Sequence, residues 1–222
     1  MKPIENIMTG LPGYLVVLFL MQLLWWFGIH GPNVMGAVTG PFLTKMMATN
    51  LALYQAGEGV SASGVYYQAG SQYSIISSPF AAGWRCPTGS GITMGLIIAI
   101  MLFSKRDDFK AIAKLAIPCG IFNINEPIIF GIPLVMNPVF AVPFFLAPIA
   151  CTSLGYLVQY IGLCPLFVIN VPWTTPVGVF GFLASSGNIM GGIWQAVIII
   201  GASTLIYTPF VIASNRQKEV AA

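Results

Sequence analysis

The chain has 222 residues, of which 57% are hydrophobic and only 7% charged, with a net charge of +3. A soluble domain carries about 25% charged residues and a disordered chain is poor in apolar ones, so both classes are excluded and a polytopic membrane protein remains. The few basic residues lie in short loops, where they act as topology signals and give no footing for a nucleic-acid partner.

Lys2 and Glu5 cancel before the first apolar run, Leu11–Ile29, and no small-residue cleavage site follows it. The run is read as a retained transmembrane helix rather than a signal peptide. Its end, Trp25-Trp26-Phe27-Gly28-Ile29-His30-Gly31-Pro32-Asn33, is aromatic and then breaks. Residues 34–57 mix Gly, Thr, Lys45 and Met, and suit an amphipathic or partly buried helix better than a span. Glu58–Ser78 is rich in Gly, Ser, Tyr and Gln and reads as a polar loop. Arg85-Cys86-Pro87-Thr88-Gly89-Ser90-Gly91 is a turn-like break, and Ile92–Phe103 a continuous apolar helix. The loop from Ser104 to Lys110, with Lys114 just after it, holds four basic residues and is expected on the cytoplasmic side.

Leu115–Ile149 has no basic residue and is cut by Pro118, Pro127, Pro133, Pro138, Pro143 and Pro148. Proline stops or kinks a helix, and broken backbone survives at membrane depth only where protein or a wet cavity meets it. Residues 115–135 therefore read as a re-entrant hairpin with Asn125-Glu126-Pro127 near its tip, followed by a span over roughly 138–161. Cys164–Ser186 repeats the broken texture and reads as a second re-entrant hairpin. Ile189–Ala213 is a final span, and Arg216 and Lys218 put the C-terminus in the cytoplasm. The fold class is all-α and polytopic, with transmembrane helices and two re-entrant hairpins. Two interrupted apolar segments in one chain point to a transporter binding site.

Glu126 is the only acidic residue between Asp108 and Glu219. A charge near a bilayer centre costs roughly 2.5–3.5 kcal/mol on insertion scales, so such a residue marks a functional site by default. A carboxylate in a protein-lined cavity can grip sugar hydroxyls or accept a proton from one. It can equally couple transport to protons or cations, or pair with Arg85 or Lys114. Asn123 and Asn125 offer amide donors and acceptors beside it. His30, the only histidine, is either a helix-end residue or a hydrogen-bond partner for a substrate. Trp173, with Thr174 next to it, is placed to stack on a sugar ring, the alternative being an interfacial belt. The Gly89-Ser90 turn allows close approach of backbone to a ligand. The four cysteines, Cys86, Cys119, Cys151 and Cys164, read as small buried hydrophobes. No metal-ligand spacing and no cofactor motif is present in the sequence.

Gly120-Ile121-Phe122-Asn123-Ile124-Asn125-Glu126-Pro127-Ile128-Ile129-Phe130-Gly131 resembles the signature of the membrane-spanning IIC component of the bacterial sugar phosphotransferase system, in its lactose/cellobiose/diacetylchitobiose branch. Trp26-Phe27-Gly28-Ile29-His30-Gly31 is similar to that branch's histidine motif, and Val171-Pro172-Trp173-Thr174-Thr175-Pro176 to its late tryptophan motif. The resemblance implies a multi-pass permease of the bacterial cytoplasmic membrane, which binds a β-linked disaccharide and presents its 6-hydroxyl to a phosphorylated IIB partner, itself fed by IIA. Glu126 would orient or deprotonate that hydroxyl, and His30 would hydrogen-bond to it. Asn123, Asn125, Trp173, Thr174, Gly89 and Ser90 would bind the sugar. The phosphoryl group would come from a phosphocysteine of IIB, a role that matches none of the cysteines here. The branch usually carries a small polar side chain, often asparagine, just before the glycine-serine turn, where this chain has Arg85-Cys86-Pro87.

The likeness covers only the C-terminal, sugar-holding part of a typical member. Residues 1–222 are then expected to be the substrate-binding transmembrane domain, without the N-terminal half that forms the homodimer. Two other readings stay open: a proton- or sodium-coupled secondary carrier, and a non-transporting fragment that only binds sugar.

Overall fold

The computed structural model describes residues 9–61 and 64–216. Lys2, Glu5 and Lys218, used above as charge signals, lie outside the described residues. The described chain is mostly helical. Helix α1 (Leu11–Trp26) ends three residues before the expected limit at Ile29. Its last carbonyls are taken up by the turn, with the Gly28 N–H on Trp25 O and the Ile29 N–H on Leu24 O, both at 2.9 Å. Helix α2 (Gly31–Gln55) starts earlier than expected because His30 caps it and Pro32 fits its first turn. Gly31 lies so close to the Met21 carbonyl that a Cβ there would overlap it, which lets α2 turn back along α1.

The stretch expected to be an open polar loop holds a small antiparallel ladder, Val60–Ser61 (β1) with Gly64–Val65 (β2). It also buries Val65, Tyr73, Ile75 and Ile76 in the core. The Asn50 side chain ties this stretch to α2, bonding both the N–H and the carbonyl of Ser74. Helix α3 (Ser78–Phe80) runs into a π-helical turn, Ala81–Arg85. The break follows, and then α4 (Met94–Phe103).

Helix α5 (Asp107–Ile121) opens on an ion pair between Arg106 and Asp108 at 2.6 Å. The Arg106 guanidinium holds the Asp108 carboxyl below the usual carboxylate range. A short connection leads to α6 (Glu126–Gly131). Helix α7 (Pro138–Tyr160) follows the expected span closely and carries Pro143 and Pro148 in its interior without ending there. Ten of its residues are buried, and that packing holds the helix through both missing N–H groups.

Cys164–Ser186 forms an extended arm that ends in α8 (Val179–Ala184). The arm folds back on that helix, since Val168 and Ile169 both donate to the Ala184 carbonyl. Helix α9 (Ile189–Ala196), a π-helical turn (Val197–Ala202) and α10 (Ser203–Ser214) form one continuous rod of 26 residues. Among the described residues, this rod and α7 are the two helices long and apolar enough to cross a membrane. Their outer faces expose large apolar side chains such as Val142, Leu157, Ile189 and Leu205.

Asn215, at the end of α10, accepts from the Lys105 N–H at 2.8 Å and donates to the Phe103 carbonyl at 3.0 Å. The basic loop and the end of the last described helix thus lie together. Cys151 and Cys164 are buried, as expected for small hydrophobes. Cys86 and Cys119 are only partly so, because both sit beside breaks in the helices.

Candidate functional site

Three breaks in the helical structure converge on one cavity of about 1250 Å³. The first is the turn after α3, with Thr88, Gly89, Gly91 and Ile92 all at positive φ. The second is the connection between α5 and α6, where Asn123 has φ +66°. The third is the extended arm carrying Trp173. Helix α2 and the end of α1 complete the wall.

Asn123 holds the three breaks together. Its Oδ1 accepts from the Thr88 N–H at 2.6 Å. Its Nδ2 donates to the carbonyls of Trp173 and, at 2.9 Å, Thr175. Both N–H groups of the amide are therefore committed within the protein. Asn125 is also engaged, donating through Nδ2 to the Ser90 carbonyl at 2.7 Å. Its Oδ1 enters no hydrogen bond among the described residues and stays available as an acceptor.

Gly89, at φ +86°, presses against Asn125 so closely that a Cβ would overlap the side-chain amide. Gly89→Ala combines left-handed strain with that overlap. We expect it to destabilise the fold by about 2 kcal/mol. It should also weaken ligand binding several-fold, measured by thermal melting and titration in detergent. A variant that melts and binds like the parent would refute this account of the turn.

Glu126 opens α6, is exposed and lines the cavity. It forms no ion pair among the described residues, so the expected alternative of a bridge to Arg85 or Lys114 is not what holds it there. His30 lines the same cavity. Its Nδ1 accepts from the Asn33 N–H at 3.3 Å, and its ring lies 4.9 Å from that of Trp25. With Nδ1 an acceptor, the neutral ring carries its proton on Nε2, which is the nitrogen free to donate. Trp173 is 61% exposed and lines the cavity.

The structure thus brings His30, Gly89, Ser90, Asn123, Asn125, Glu126 and Trp173 to one cavity, although Glu126 is distant in sequence from both His30 and Trp173. Thr174 does not line it. Thr39, Ser78 and Asn170 also line it and are not among the site residues expected from the sequence, and Trp25 of the aromatic run lines it as well. The small side chains of α2 gave a signal that could have found part of this wall. Gly36, Thr39, Gly40 and Leu43 recur at helical spacing and form one face.

Behind the site, Gln195 is a buried clamp. Its Oε1 accepts from the Gly178 and Gly181 N–H groups at 2.9 and 2.8 Å, while its Nε2 donates to the Gly83 carbonyl at 2.9 Å. It links the π turn before the first break to the arm of the third.

The cavity is lined by one carboxylate (Glu126), one guanidinium (Arg85), one imidazole (His30), the amides of Asn33, Asn123, Asn125 and Asn170, and the indoles of Trp25 and Trp173. The model of the "Phosphotransferase system, EIIC" family matches residues 4–148. The oligo-beta-mannoside-specific EIIC component of Bacillus subtilis (strain 168) is 35% identical over 216 residues, covering 96% of this chain and 46% of that protein. The cellobiose-specific EIIC component of Lactococcus lactis subsp. lactis (strain IL1403) is 33% identical over 231 residues, covering 98% and 46%. The crystal structure of the transporter ChbC, the IIC component from the N,N'-diacetylchitobiose-specific phosphotransferase system, superposes with a TM-score of 0.87. It is 32% identical and covers 99% of this chain and 48% of that one. The chain therefore spans about half the length of the relatives it matches. With the family model matched over residues 4–148 and the fold shared along nearly its whole length, the chain belongs to the EIIC family, the membrane permeases of the sugar phosphotransferase system.

Proposed function

We propose that residues 1–222 are the substrate-binding transmembrane domain of a IIC permease, which takes a β-linked disaccharide and presents its 6-hydroxyl to phosphorylated IIB. The observation that carries this reading is the meeting of Glu126, His30 and Trp173 at one cavity. Glu126 accepts a hydrogen bond from the 6-hydroxyl and takes its proton as the phosphoryl group arrives. The His30 Nε2–H donates to the same oxygen or steadies the charge. Trp173 stacks on a ring face, and the Asn125 Oδ1 accepts from a ring hydroxyl. Phosphoryl transfer depends mainly on positioning and charge, and these groups are adequate for it. The names of the relatives, which cover β-mannoside, cellobiose and diacetylchitobiose systems, support the disaccharide class.

In this reading the chain lies in the bacterial cytoplasmic membrane, with lipid against the exposed apolar faces of α7 and α9–α10. The segments 115–135 and Cys164–Ser186 are re-entrant, their broken ends meeting at the cavity. The basic segment 104–114, a loop only over 104–106 and from Asp107 the start of α5, and the end of α10, tied by Asn215, share the cytoplasmic side, supported by Lys105, Arg106, Lys110, Lys114 and Arg216. IIA and IIB are the soluble partners. The homodimer belongs to the full-length assembly, through an N-terminal half outside residues 1–222.

The direct test places the chain in vesicles together with that N-terminal half and supplies phosphorylated IIB. Sugar arriving as the 6-phosphate supports the reading. Free sugar accumulating along a pH or sodium gradient would favour a secondary carrier instead. A narrower expectation concerns Trp173→Ala. Loss of one stacked ring is worth about 1–1.5 kcal/mol, so affinity should fall about tenfold while the bound sugar is still phosphorylated. Unchanged affinity in a titration would take Trp173 out of the binding surface.

A further inference from the structure

Arg85 and Glu126 are the two side chains of fixed charge among the described residues that line the cavity. Arg85 is the last residue of the π-helical turn Ala81–Arg85. Its Nε is buried and has no hydrogen-bond partner. No carboxylate pairs with it among the described residues. The groups beside its guanidinium are the Tyr14 hydroxyl and the Cys86 thiol, and neither is a carboxylate. The segment leading to it shows Ser78, Ala81 and Ala82 to the cavity, and α2 shows Gly36 and Gly40. These short side chains leave room for a ring beside the guanidinium.

Arg85 is partly buried, and a guanidinium held even partly away from water without a countercharge gains from an anionic partner. Glu126, the one carboxylate of the cavity, does not meet it. The missing countercharge is therefore a property the ligand can supply. A carboxylate offers two coplanar oxygens that match the parallel N–H groups of the guanidinium and neutralise it. A neutral hydroxyl offers one acceptor and no charge.

We infer that Arg85 is a specificity-determining residue that binds a carboxylate of the ligand, so that the cavity takes an acidic β-linked disaccharide. One ring presents its hydroxymethyl group to Glu126. The other carries a uronate carboxylate on Arg85. This rests on the reading of the cavity as a disaccharide site.

The test compares cellobiose with its uronate counterpart, in which the hydroxymethyl group of the non-reducing ring is a carboxylate. Binding is titrated on the purified chain in detergent. The unaltered protein should bind the uronate at least tenfold more tightly, with a preference that shrinks as salt is raised. Arg85→Gln should abolish the preference and leave cellobiose affinity within about threefold. Equal or weaker binding of the uronate by the unaltered protein would overturn the assignment whatever the variant does, as would a preference that survives in Arg85→Gln. Cellobiose binding without that preference sinks only the role of Arg85, whereas binding of neither sugar sinks the disaccharide reading with it.

Cys86 provides a second readout, because it lines the cavity beside Arg85. An anionic methanethiosulfonate should modify it several-fold faster than a cationic one, followed by mass spectrometry of the labelled peptide. Arg85→Gln should reverse that order. A faster cationic reaction in the unaltered protein would count against a positive cavity wall.

Discussion

Glu126→Gln is expected to leave sugar bound and unphosphorylated. The amide keeps the size of the carboxylate and can still exchange hydrogen bonds with a hydroxyl, so disaccharide affinity should stay within about fivefold. What it cannot do is take a proton or hold a negative charge against the reacting oxygen. General-base assistance is worth roughly 10²–10⁴-fold, and sugar-phosphate formation should drop by that factor. The structure makes the contrast clean. Glu126 has no ion-pair partner among the described residues, so no partner charge is stranded when it is neutralised. The assay is phosphorylation by IIB in vesicles beside equilibrium exchange of labelled sugar in the same vesicles. Normal phosphate formation with Gln at 126 would remove Glu126 from its assigned role. Loss of both activities would instead make it a binding or folding residue.

The sequence disclosed the parts of this molecule that depend on local pattern. The two long spans were legible because an apolar run of that length has few other uses, and α7 was found almost to the residue. Glu126 was legible because an isolated acid in an apolar chain is expensive. Other features were fixed by contacts far apart in sequence. Helix α1 stops early because a turn at Gly28 takes up its carbonyls, while the apolar pattern itself runs on to Ile29. The β1–β2 ladder hides in a stretch whose composition is that of a loop, and burial of Val65 and Tyr73 decides its structure. Asn123 and Asn125 look alike in the motif, yet one is a fastener between three breaks and the other keeps an oxygen for a ligand. Thr174 shares a motif with Trp173 but not the cavity, because the two sit in a turn closed by the Thr175 N–H on the Pro172 carbonyl at 3.0 Å, where the chain leaves the wall that Asn170–Trp173 form. Gln195 gave no signal at all, since a lone glutamine in an apolar helix shows its purpose only when its partners are in place.

Asn123 carries the second large expectation. Asn123→Ala removes three hydrogen bonds at once and leaves the Thr88 N–H and two carbonyls without their partner. Asn123 is 8% exposed, so water reaches these groups poorly. Each lost bond is worth about 1 kcal/mol, and stranding buried groups adds to that, giving a loss of roughly 3–4 kcal/mol. Alanine also sits less easily than asparagine at φ +66°. For a chain of this size that corresponds to a fall in melting temperature of roughly 6–15 °C. Binding should suffer more than stability alone requires, because the Trp173 arm is held to the Glu126 turn through this side chain. Asn123→Gly separates the causes, since it keeps the backbone conformation and loses only the amide. It should recover about 1 kcal/mol of stability over the alanine variant without recovering sugar affinity. Asn123→Asp should fare no better, because its carboxylate can accept from the Thr88 N–H but faces the carbonyls of Trp173 and Thr175 with no proton to give. Parental melting and affinity in the alanine variant would show that the three breaks hold together without it. Lowered stability with intact affinity would confine Asn123 to the scaffold and leave the position of Trp173 to the clamp at Gln195.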